Sequence, residues 1–133
     1  MSDVMVADTL PTSFGTFKPV DNDMMGLPTQ LQADALVAAL HAAGWTPDAV
    51  LHFLPRESVP ELQALVDSAG PLADFGYELK LLRRYLSLAQ QGYRWLLVRV
   101  DDADHAAAAC TVARTCGARL AVYYRTLTVE ELI

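Results

Sequence analysis

The side chains of this 133-residue chain that can act as acids, bases, nucleophiles or metal ligands are three histidines, two cysteines and sixteen carboxylates. Their spacing is unhelpful to catalysis. His41 falls in a helical pattern, His52 in an apolar strand and His105 in the first turn of an Ala-rich helix, so no pair shows the i, i+4 spacing of a metal site, and no CxxC is present. Cys110 and Cys116 are six residues apart in one helical stretch. That separation turns them about 120° around the axis, so they read as small buried thiols in a reducing, cytoplasmic setting rather than as a bridge. No cofactor and no metal are expected. His52 stands out because Leu51 and Phe53 flank it. On an open sheet face it would titrate near neutrality, and with Arg99 or Arg125 it forms the candidate set for a small enzyme. A hydrogen-bonded sheet histidine is the competing reading. Asp101, Asp102 and Asp104 make the densest carboxylate cluster, which a helix N-terminus explains without chemistry.

Phosphate cradles are absent, since neither GxGxxG nor GxxxxGK[ST] occurs. The acidic stretch Asp21 to Gly26 is discounted as a calcium loop, because Met25 sits at a ligand position and Gln32 where a bidentate Glu belongs. Gln91 to Val98 (QGYRWLLV) carries part of an RNA-recognition strand: Gly92, Tyr93 and Trp95 fit, while Gln91, Arg94 and Val98 do not. A formal net charge of −6 opposes a long-range grip on nucleic acid or an anionic membrane. The charge is uneven. Residues 1–79 hold only Lys18 and Arg56 against eleven acids, whereas residues 80–133 hold eight bases, seven of them Arg, against five acids. The C-terminal half is therefore suited to planar recognition of a small anion.

The elements that must position these groups are legible from periodicity. A hydrophobic content of 53% with 20% charged residues is that of a folding chain. The longest apolar runs fall far short of the ~20 residues of a membrane span, and no secretory leader is visible. Residues 1–11 are set apart as a tail, and 12–133 read as one domain. Thr12 to Val20 reads as a first strand and Asp21 to Leu27 as a loop. Thr29 with Gln32 caps a helix that Gly44 ends, and Ala49 to Leu54 (AVLHFL) is a buried strand. Ser58 with Glu61 caps a second helix ending at Gly70, and a third spans Tyr77 to Gln91. Tyr93 to Asp101 is a strand of clear alternation, an Ala-rich helix runs from Asp101 or Asp102 to Cys116, and Arg119 to Leu127 is the last strand. A terminal turn is expected from Thr128, capped by Glu131.

Two βαβ halves joined through a helical pair imply an α+β, ferredoxin-like fold: a four-stranded antiparallel sheet with helices on one face. On that reading Leu96, Val98, Leu120 and Val122 face the helices, while Tyr93, Trp95, Arg99, Tyr123 and Arg125 share the open face with His52. A patch with several large aromatics needs covering by a second subunit, the helical pair or a ligand. The expected function is that of a non-enzymatic domain forming a homodimer, or binding a small anionic or aromatic ligand, on this face. Binding of single-stranded RNA by Tyr93 and Trp95, and the small enzyme built on His52, are the alternatives.

Ala35 to Phe53 (ALVAALHAAGWTPDAVLHF) and Gln91 to Ala118 resemble the two halves of the small heat-induced general stress proteins of bacteria: helix, Ala-Gly-aromatic, Pro-Asp, strand, then glycine, strand, acidic cap, Ala-rich helix, Gly-Ala. The long Gly- and Ala-rich hairpin between those halves is replaced here by the amphipathic stretch Ser58 to Gln91. The resemblance implies a stress-related role and brings no catalytic residues with it.

Overall fold

The computed structural model describes residues 20–69, 77–125 and 129–133, in two compact units. The expected tail, and the expected strand over Thr12 to Pro19, lie outside the described residues. The larger unit takes residues 20–52 together with the described residues from 93 onward. Its chain order is β1 (Asn22–Leu27), α1 (Gln30–Ala42), a 3-10 turn (Pro47–Ala49), β2 (Val50–Phe53, the last residue falling in the other unit), β3 (Arg94–Arg99), α4 (Ala103–Thr115), β4 (Leu120–Tyr124) and β5 (Val129–Glu131). The smaller unit holds α2 (Pro55–Ala69) and α3 (Tyr77–Gln90), which pack on each other; Leu62 of α2 and Leu81, Tyr85 and Ala89 of α3 are buried.

The sheet has five strands in the order β2-β3-β1-β4-β5, not the four expected. β1 is antiparallel to both β3 and β4, and β5 is antiparallel to β4. The central strand is therefore Asn22–Leu27, the segment whose Asn, Asp and Gly read as a loop. Those residues are poor strand formers, but strand preference depends on context. Here ladders on both sides satisfy the backbone, and Met24, Met25 and Leu27 are buried. The terminal turn is likewise replaced by β5, in which Glu131 pairs with Val122 rather than capping a helix.

Caps are where local chemistry prevailed. The Gln32 N–H donates to Thr29 Oγ1 at 3.2 Å, and the Asp102 carboxylate accepts from the His105 N–H at 2.8 Å. The second helix begins earlier than Ser58: the Leu54 N–H donates to Glu57 Oε1 at 2.7 Å, and Pro55 takes the first helical position. Ser58 is buried one turn in.

Helices α1 and α4 share one face of the sheet. Ala33, Leu36 and Leu40 of α1 and Ala106, Ala109, Cys110 and Ala113 of α4 enclose Met25, Leu27, Leu96, Val98, Ala121 and Tyr123 in a single core. The small side chains of α4 let it sit close to the strands. Ala121 and Tyr123, not Leu120 and Val122, face these helices, which corrects the expected orientation of the last strand. Its register pairs Ala121 with Met25 and Tyr123 with Asp23, and a shift of one residue exchanges every side chain between faces.

Candidate functional site

The register decides which of the singled-out side chains meet. Trp95, opposite Gly26, shares a face with Leu97, Arg99, Leu120, Val122 and Tyr124. Tyr123 lies on the other face with Leu96 and Val98. Trp95 and Tyr123 are thus on opposite sides of the sheet, and both are buried, with Trp95 0% and Tyr123 6% exposed. The open aromatic surface expected from the alternation does not form. Trp95 also offers no exposed ring on which a nucleic-acid base could stack, and half-buried Tyr93 lies tilted against it with ring centroids 6.4 Å apart. His52 sits half-buried in β2, three strands from β4, about 14 Å across a sheet of ordinary spacing. It is therefore not brought to Arg125. The Arg125 guanidinium lies 5.8 Å from the Tyr123 ring centroid and 3.7 Å from Glu130 Oε1, and the Arg125 and Glu130 side chains are both about half exposed.

What the fold does assemble is a cleft at the end of β3, lined by Val20, Asp21, Asn22, Arg99, Val100 and Asp101, with a volume near 420 Å³. Its walls are fixed by backbone bonds. The Asp21 N–H donates to the Tyr124 carbonyl at 2.9 Å, and its own carbonyl accepts from the Val100 N–H at 3.0 Å. Asp21 holds φ at 64°, a left-handed conformation that Asp tolerates better than most residues. Beneath it, the Trp45 indole donates to the Arg99 carbonyl at 2.8 Å and stacks on His105, with centroids 4.6 Å apart and planes 10° from parallel. The Asp101 N–H donates to His105 Nδ1 at 3.0 Å. The Arg99 side chain has no hydrogen bond or ion pair among the described residues. Its positive field helps hold the Asp48 carboxyl below its usual range, after the hydrogen bonds from Thr46 and from the Asp48 backbone.

Sequence reasoning passed over Asp23. It stands near the start of β1, between Val98 and Tyr123 on the helix-covered face, 0% exposed, and among the described residues neither carboxyl oxygen has a hydrogen-bond partner. Burial, and secondarily the Glu130 carboxylate, raise its pKa to about 8. The only signal in the sequence was an acid directly before the apolar pair Met24-Met25, and that signal vanishes once the segment is taken for a loop. Cys110 is close enough to feel this carboxylate, though burial is the main reason its thiol is pushed up. Among the described residues no three His, Cys, Asp or Glu side chains gather to hold a metal ion. No helix among them is long and apolar enough to cross a membrane.

No family model matches the chain. Neither the curated proteins nor the solved structures contain a match to it.

Proposed function

We propose that this chain is a non-enzymatic, cytoplasmic α+β domain of ferredoxin-like arrangement, with β5 added at one edge, that binds a small anionic ligand through Arg99. The strand order β2-β3-β1-β4 with α1 and α4 on one face supports the fold assignment. The observation that carries the functional reading is a guanidinium without a bonded partner among the described residues, on the wall of a cleft of ligand size. A planar guanidinium favours carboxylate or phosphate, and Asp21 and Asp101 on the same rim oppose an extended polyanion while tolerating a ligand that also carries a cationic group. A stress-related setting is retained from the resemblance of the two halves.

Titration of the ¹⁵N-labelled protein with glycine, acetate and inorganic phosphate tests this. At least one probe should move the amides of Asn22, Arg99 and Val100, and Arg99→Ala should weaken that binding about tenfold or more, the worth of one charge-assisted hydrogen bond. Unmoved amides with all three probes would overturn the proposal.

Self-association is a second reading, favoured by the unequal protection of the sheet edges. β5 has three residues, two of them Glu, whereas β2 (VLHF) carries no Lys, Asp or Glu and is the other edge among the described residues. An uncharged edge strand is a template for pairing with a second copy. Sedimentation should then show a dimer that Leu51→Lys converts to monomer, and a monomeric wild type removes this reading.

A further inference from the structure

Across the helix-covered face the register sets Val98, Asp23, Tyr123 and Glu130 side by side on β3, β1, β4 and β5. Two carboxyl groups therefore flank one tyrosine, the inner one sealed from water and without a hydrogen-bond partner among the described residues. The outer one rides on a strand of three residues. Among the described strands it pairs only with β4, through three residue pairs. The Leu132 and Ile133 N–H groups donate to the Ala121 carbonyl at 2.8 and 3.2 Å, and Arg114 Nη2 donates to the Leu132 carbonyl at 2.7 Å. Arg125 reaches Glu130 only at 3.7 Å on the exposed side. Leu132 and Ile133 pack on the core, and the Cys110 thiol lies 4.0 Å from the Leu132 carbonyl.

Burial and the Glu130 carboxylate set the proton affinity of Asp23, and no described residue forms an ion pair with it. β3 brings Val98, and β4 brings Tyr123. Glu130 on β5 is a like charge, and α1 contributes Ala33, Leu36 and Leu40 to this core. From α4 come Cys110 and Arg114, and the latter is committed to the Leu132 carbonyl.

We propose that Asp23 and Glu130 form a pH-sensitive latch on the edge strand β5: with Asp23 protonated β5 stays docked, and on ionisation β5, Leu132 and Ile133 lift away, hydrating the carboxylate and uncovering Cys110. The buried site disfavours the ionised acid, whereas the open state solvates it, so the latch draws its energy from the difference in proton affinity between the two states. This device is independent of anion binding at Arg99.

Cys110 reports the opening. In a Cys116→Ser background, the rate of alkylation by iodoacetamide, divided at each pH by that of a free cysteine peptide, gives the accessible fraction. The fraction should rise about tenfold per pH unit from pH 6 and level off near pH 8. Asp23→Asn should abolish the rise. Glu130→Gln, an exposed substitution that leaves the core untouched, should lower the accessible fraction and move the plateau to lower pH. Local opening also requires that the rate at pH 8 depend only weakly on urea below the unfolding transition. A flat wild-type profile, an unchanged rise in Asp23→Asn, an unaltered profile in Glu130→Gln, or the full urea dependence of global unfolding would each overturn the latch.

Discussion

Asp23→Asn should leave the protein markedly more stable than wild type at pH 8 to 9, with the two converging as the pH approaches 4. The folded-state pKa, about 8, lies above the ordinary carboxyl value of 3.8. Between those values the folded chain holds a proton that the unfolded chain has released. The stabilisation linked to that proton is fully present below about pH 4 and is lost as pH rises to about 8, by a factor of ten in the folding equilibrium per pH unit. Across the whole window the loss is on the order of 5 kcal/mol, comparable with the total stability of many domains of this size. Asparagine occupies nearly the same volume and never ionises, so its stability should lack this slope. Urea denaturation of both proteins from pH 4 to pH 9 measures the difference directly, and the histidines, common to both, cancel. Parallel curves would mean that the carboxyl is hydrated in the folded state.

The second large effect is expected where β1 crosses β3. A Cβ built on Gly26 would stand 2.8 Å from Trp95 Cζ3, and the indole is fully buried. Glycine at this position lets the ring lie flat on the neighbouring strand, which offsets the weakness of a glycine within a sheet. Gly26→Ala should therefore cost about 1–3 kcal/mol through overpacking, and Trp95→Ala about 3–5 kcal/mol through the lost transfer and the cavity. Each kcal/mol corresponds to a fall of roughly 3–5 °C in Tm for a chain of this length. The pair should be strongly non-additive: in a Trp95→Leu background, where the ring is gone, Gly26→Ala should be close to neutral. Additive losses would place the cost of the alanine elsewhere than in the indole.

These two positions also mark the boundary between local and tertiary information. Wherever structure depends on neighbours a few residues apart, the amino-acid order determined it. The Thr29 and Asp102 caps, the helical stripe of Leu81, Tyr85 and Ala89, and the alternation along β3 all rest on bonds or periodicities contained within one element. The α+β class and the placing of α1 and α4 between strands follow from that order. Two things rest instead on pairing between distant segments. Asn22–Leu27 becomes the central strand only because β3 and β4 bond to both of its edges, which overrides the turn preference of Asn, Asp and Gly. The facing of β4 is equally undetermined locally. LAVYY is apolar on both sides, so alternation cannot say which side meets the helices, and only the register with β1 puts Ala121 and Tyr123 under α4. That single tertiary choice separates Trp95 from Tyr123, aligns Tyr123 with Asp23 and Glu130, and leaves Arg99, rather than an aromatic surface, at the accessible end of the sheet.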